Sequence, residues 1–282
     1  MLKTQKKIYD GKLTMGDGVC VEYKYIDNGA PSTIAFVNGI GTYGGWIGQM
    51  RIRGYNLLFH NSRGMGQSGW NGGHYLNSTA EDLGVLCRNF SSESVHLIGH
   101  SMGGLIAANF FTNYRQDIPI ETMTLVSSPL GNPIDTFPYR KWLFFNVERL
   151  LTFAERFSHI IPFGSEKIPT ALYLVARSQG QEVDEKTFVK YTEMLKHPKE
   201  AITALRCMIE HGDQIGARMA GISVRTLVIH AERDFLVEQS AAHKIAGCIP
   251  NSRLHIFPKA SHAPMLEEPF LFNSVLLEFL GN

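Results

Sequence analysis

Gly99-His100-Ser101-Met102-Gly103 places a serine between glycines two residues away on either side, with Gly104 following at once. A strand that only had to end could do so with one glycine. Three of them around one hydroxyl predict a backbone turned so sharply that side chains would collide. The flanks suit such a turn: "SVHLIG" (94–99) reads as a buried strand and "MGGLIAANFFTNY" as a helix. There the serine would project above the edge of a sheet, at a helix N-terminus whose dipole favours developing negative charge. That is the setting of a nucleophile. The bare G-x-S-x-G pattern is common in glycine-bearing turns, and the strand before and helix after are what make it specific.

A serine hydroxyl is a weak nucleophile until a base takes its proton, and the base needs an acid to fix its tautomer. For a turn of this kind the acid and then the histidine follow the serine along the chain. "LVIHAERDFLV" supplies Asp234 just past a buried strand, and "IFPKASHAPMLEEP" supplies His262 just past the next. Among eleven histidines, position decides. His96 and His230 lie inside strands and read as core residues, His243 as an exposed helix position and His255 as a strand position. Glu232 is a rival to Asp234 for the acid. An oxyanion hole needs two backbone donors: the N–H of Met102, directly after the serine, and that of Ile40 in the glycine-rich "NGIGTYGGW".

These residues need a scaffold that brings strand ends together. Short apolar runs, "TIAFVNG" (33–39), "YNLLFHN" (55–61), "SVHLIG", "TMTLVSS" (122–128), "RTLVIHA" (225–231) and "SRLHIFP" (252–258), read as strands buried on both faces. "VCVEYKYI" (19–26) alternates like an antiparallel or edge strand. Helical patterns lie between them, at 77–90 with a capping box of Ser78 and Glu81, after Ser101, at 237–248 and at the C-terminus. The expectation is an α/β fold with a mostly parallel eight-stranded sheet flanked by helices.

Residues 131–215 break the alternation. "RKWLFFNVERLLTFAERF" puts Leu143, Val147, Leu150, Leu151, Ala154 and Phe157 on one stripe, and Pro198 is set to open a further helix with Gly212 past its end. The segment reads as a helical cap over a core formed by 1–130 and 216–282. Its aromatics, among them Trp142, Phe144, Phe145, Phe153, Phe157 and Tyr173, belong mostly to the cap's own core, and no substrate-binding residue is singled out.

Composition excludes other classes. With 282 residues, a net charge of +1, 44% hydrophobic and 19% charged residues, the chain is an ordinary globular protein with no basic surplus for nucleic acid. No apolar stretch reads as a signal peptide or membrane span. Cys20, Cys87, Cys207 and Cys248 are scattered, without a CxxC or Cys–His spacing, so reduced cysteines in a cytoplasmic protein are expected, with no disulfide framework, metal site or cofactor.

Taken together, "FVNGIGTYGGW", "NSRGMGQSG", "LIGHSMGG", "LVIHAERDFLV" and "SHAPMLEEP" resemble the oxyanion, post-strand, nucleophile, acid and base segments of the α/β-hydrolase family with a helical cap, over nearly the whole chain. The resemblance supports Ser101, Asp234 and His262 residue by residue. Two positions depart from it. Asn38 stands where the family usually has histidine, implying an oxyanion loop set slightly differently, and Asn61 stands where it usually has aspartate, implying that Arg63 lacks its customary carboxylate. A serine nucleophile argues against dehalogenases and epoxide hydrolases, which use aspartate. The expected function is a serine carboxylic-ester hydrolase acting on small or medium hydrophobic substrates. A thioesterase, amidase or carbon–carbon hydrolase on the same triad is the alternative within enzymes, and a ligand-binding receptor with little turnover is the alternative from another class.

Overall fold

The computed structural model describes residues 6–90, 93–132, 198–234 and 236–281. Eight strands form one sheet: β1 (Lys7–Thr14), β2 (Cys20–Asp27), β3 (Ser32–Val37), β4 (Asn56–His60), β5 (Ser94–His100), β6 (Ile120–Val126), β7 (Arg225–Ala231) and β8 (Ser252–Phe257). Their order is β1-β2-β4-β3-β5-β6-β7-β8. β1/β2 and β2/β4 pair antiparallel, and every later pair is parallel.

Parallel strands need crossovers, and the helices provide them: α1 (Tyr75–Phe90), α2 (Met102–Asn109), α3 (Pro198–Arg218) and α4 (Gln239–Cys248), with α5 (Pro264–Glu267) and α6 (Pro269–Gly281) closing the chain. Two apolar clusters follow from the two-residue period of the strands. Ala35, Val37, Leu58, Val95 and Leu97 join α1, α2, α3 and α4 on one face. Ile34, Phe36, Leu57, Phe59 and Ile98 join Trp46, Met265 and α6 on the other. Sheet order reverses at β3, which lies between β4 and β5, so a crevice opens beyond their carboxyl ends.

Three local readings change. β1, "KIYDGKLT", was not expected; it is an edge strand, mostly exposed, whose charges alternate too freely for an apolar pattern to mark it. α1 begins at Tyr75, two residues before the expected start at 77 and three before the expected capping box. His74 caps it, accepting Asn77 N–H at Nδ1 (3.3 Å) and Ser78 N–H at its carbonyl (2.9 Å). α3 opens at Pro198 as expected but runs through Gly212 to Arg218. Gly212 and Gly216 do not stop it, because they are where the 130–131 backbone lies on the helix: a Cβ at Gly216 would meet the Leu130 carbonyl oxygen at 1.6 Å, and one at Gly212 the Gly131 oxygen at 2.7 Å. The expected boundary at 215/216 therefore falls inside α3, which packs into the core. The rest of the expected cap, 133–197 with its aromatics, lies outside the described residues.

Candidate active site

Ser101 sits between β5 and α2 with φ 53° and ψ −124°, a conformation that costs a non-glycine residue energy and persists only where its surroundings impose it. The surroundings are backbone. A Cβ at Gly99 would lie 2.4 Å from the Gly103 carbonyl oxygen, and one at Gly103 would lie 2.3 Å from that of Val37. Ser101 N–H donates to Val126 O (2.8 Å) and its carbonyl accepts from Ser128 Oγ (3.1 Å), so the end of β6 holds both its peptide groups. The hydroxyl does not cap α2.

The 38–42 loop at the end of β3 lies directly over this serine, since a Cβ on Gly39 would come 2.9 Å from Ser101 Cβ. Ile40 follows Gly39 in that loop. Met102 opens α2, where an N–H has no partner within the helix. Asn38 Nδ2 donates to the Gly41 carbonyl (3.2 Å), pinning the loop from inside. Asn61 holds its far side, accepting Tyr43 N–H at Oδ1 (2.7 Å) and donating from Nδ2 to Glu22 (2.6 Å).

Asp234 and His262 meet across the ends of β7 and β8. His262 Nδ1 lies 2.9 Å from Asp234 Oδ2 and 3.1 Å from Oδ1, and the two side chains are 3% and 1% exposed. Asp234 Oδ1 also accepts the N–H groups of Leu236 and Val237, both at 2.9 Å. Burial pushes the Asp234 carboxyl up, but His262, His230 and the backbone donors outweigh it, and the group stays ionised below its usual range. An ionised acceptor facing Nδ1 fixes the proton there and leaves Nε2 of a neutral imidazole with a lone pair. Glu232, the rival acid, is exposed.

Two residues without an assigned part in the sequence hold His262. His100, the neighbour of Ser101, lies with its Nε2 2.9 Å from the His262 carbonyl, and the two rings are 4.9 Å apart. Burial and the nearby His262 push the pKa of His100 down to about 3, so it is neutral and donates through Nε2–H. Glu267 in α5 accepts Ser261 N–H (2.7 Å), Ser261 Oγ–H (2.8 Å) and Ala263 N–H (3.2 Å), closing a carboxylate clamp around the loop that carries His262. The signal was present in "SHAPMLEEP", where an acid five residues after the histidine ends the short helix that follows it. His230 is buried as its strand position implied, but it also lies against the acid, with Nε2 3.1 Å from Val237 O and 3.7 Å from Asp234 Oδ2.

The expected loss of a carboxylate beside Arg63 is corrected. Arg63 donates from Nε and Nη2 to both oxygens of Asp82 (2.7 and 2.8 Å), and Nη1 is paired with Asp17. Asp82 lies in α1 and Asp17 in the β1–β2 turn, so charge is restored from elsewhere in the chain.

A mostly parallel sheet with a strained serine turn between β5 and α2 defines an α/β hydrolase. The esterase EaEST from Exiguobacterium antarcticum superposes with a TM-score of 0.76 over 97% of this chain and 100% of its own, at 18% identity, which speaks to the fold. The protein named probable lysophospholipase L2 of Haemophilus influenzae is 24% identical over 79% of this chain and 73% of its own. The 2-hydroxy-6-oxononadienedioate/2-hydroxy-6-oxononatrienedioate hydrolase of Comamonas testosteroni is 25% identical over 91% and 90%. The chain belongs to the hydrolase family described as serine aminopeptidase, S33, whose profile matches residues 32–269. Among the described residues no helix is long and apolar enough to cross a membrane, and Cys20, Cys207 and Cys248 are free thiols.

Proposed function

We propose that the protein is a serine hydrolase that cleaves carboxylic esters of small or medium hydrophobic substrates through an acyl-enzyme. Ser101 Oγ attacks the ester carbonyl as His262 Nε2 takes its proton. Asp234 stabilises the imidazolium, and the N–H groups of Ile40 and Met102 hold the oxyanion. The imidazolium returns the proton to the departing alkoxide, and water activated by His262 then releases the acid and restores Ser101. The reading is carried by one observation: a buried, ionised Asp234 paired with His262, which lies against His100, the residue before a serine held at φ 53°. A relative named as a lysophospholipase supports an ester as the scissile bond, and the free cysteines fit a cytoplasmic setting. The Comamonas relative keeps carbon–carbon hydrolysis as a second reading.

Covalent labelling of the whole chain with a fluorophosphonate, read by mass spectrometry, tests the nucleophile. One adduct on Ser101, absent from Ser101→Ala and strongly slowed in His262→Ala, is the expected result. An adduct that survives Ser101→Ala, or none on folded protein, overturns the mechanism and favours a binding protein. An aryl butyrate turned over faster than a thioester or a vinylogous diketone selects the ester reading.

Glu267 acts through the loop it clamps. Glu267→Ala is expected to lower kcat/KM for the same ester by roughly 10-fold, mostly in kcat, because a small displacement of the base is costly while substrate contacts remain. The far-UV spectrum should be unaltered, and an unchanged kcat would show that the loop holds itself.

A further inference from the structure

Three potential ligand side chains meet away from the serine, where α3 crosses the start of α1. Cys207 and His211 stand four residues apart on α3, hence on one face, and His74 reaches them from the cap of α1. Their ligand atoms all lie within 4.8 Å of one another. Cys207 Sγ is 3.6 Å from His74 Nδ1, and the rings of His74 and His211 are 4.0 Å apart. A tetrahedral ion bound by thiolate and imidazole holds sulfur and nitrogen about 3.5 Å apart, given metal–ligand distances of roughly 2.3 and 2.0 Å. The observed separation matches that edge. Cys207-x-x-x-His211 alone marks no site along the chain, because the third member, His74, lies 133 residues from the cysteine.

We propose that His74, Cys207 and His211 bind a transition-metal ion of the Zn2+ class. The thiolate and two imidazoles form a borderline-soft donor set, unsuited to Mg2+ or Ca2+. Cys207 is 7% exposed while the His211 side chain is 33% exposed, so the site has a buried anchor and an open side where water completes the tetrahedron. The Glu210 carboxylate, 3.7 Å from His211 Nε2, adds negative charge at that opening. Binding releases the Cys207 thiol proton to solvent and exchanges the long capping bond from Asn77 N–H for a bond from His74 Nδ1 to the ion. The ion ties α3, the helix that resumes the fold after 133–197, to the start of α1. The inference stands apart from the serine chemistry and requires none of it.

Cobalt(II) titrated into the chelator-treated full chain tests it. The expected result is one ion per chain with a thiolate-to-cobalt absorption band, unchanged in Ser101→Ala, absent in Cys207→Ser and shifted to roughly tenfold or weaker affinity in His74→Ala and His211→Ala. Excess Zn2+ should raise the Tm of the wild type and not of Cys207→Ser. His211 is partly exposed, so its variant keeps the test sound if Cys207→Ser folds poorly. No thiolate band on folded wild type, a band retained in Cys207→Ser, or affinity unmoved by both histidine substitutions would overturn the proposal and leave a thiol–imidazole hydrogen bond in its place.

Discussion

Asp234→Asn is expected to lower turnover of an ester substrate by about 10^3- to 10^4-fold with little change in fold. The reason lies in how the carboxylate is held. Oδ1 accepts two backbone N–H groups, from Leu236 and Val237, while Oδ2 is the oxygen nearest His262 Nδ1. An asparagine must keep its carbonyl oxygen toward the two backbone donors, which turns its NH2 group toward Nδ1. Nδ1 then has to accept, the ring proton moves to Nε2, and the nitrogen that should take the Ser101 proton no longer has a lone pair. Asp234→Ala removes the orienting group without enforcing the wrong tautomer, so it should be no worse than the asparagine variant. Steady-state kinetics beside fluorophosphonate labelling rates decide the matter. An Asp234→Asn enzyme retaining a tenth of wild-type kcat would mean that another acid, Glu232 being the candidate, does this work.

Asp82→Ala is expected to destabilise the protein by about 3–5 kcal/mol, since removing one partner of a buried pair leaves the other charge uncompensated. The Arg63 and Asp82 side chains are each 3% exposed, and the pair is bidentate. Asp17, the remaining carboxylate on Arg63, is 42% exposed at its side chain and cannot replace a desolvated partner. At roughly 2–4 °C per kcal/mol for a chain of this size, Tm should fall on the order of 10 °C. The double variant Arg63→Met/Asp82→Leu should recover much of the loss, because no buried charge then lacks a partner. Urea unfolding of the set is the measurement, and a loss under about 1 kcal/mol in Asp82→Ala would show that water reaches Arg63.

What could be read from the sequence divides along physical lines. The inner strands were legible because burial on both faces leaves a nearly continuous apolar run, as in "TIAFV" and "TLVIHA". The serine turn was legible because only glycine fits where backbone approaches backbone, and Asp234 and His262 were legible as polar residues just beyond strand ends. Partners brought together by the fold were not. Nothing near Arg63 announces Asp82 or Asp17, 19 and 46 residues away. Gly212 looked like a helix stop because a glycine that ends a helix and one that admits a crossing backbone are the same letter. β1 escaped because an edge strand exposed along most of its length carries little apolar pattern.

Asn61 offers a different kind of lesson. Its amide both gives and receives, satisfying Glu22 on one side and the Tyr43 N–H just past the 38–42 loop on the other. An aspartate at 61 could serve Tyr43 equally well but would set a second carboxylate against Glu22 at hydrogen-bonding distance. Positions 22 and 61 are therefore one choice made twice. With Glu22 on β2, position 61 needs a donor, which an amide has and an ionised aspartate lacks. In this chain the negative charge beside the 38–42 loop sits on β2, and the amide after β4 is the donor that answers it.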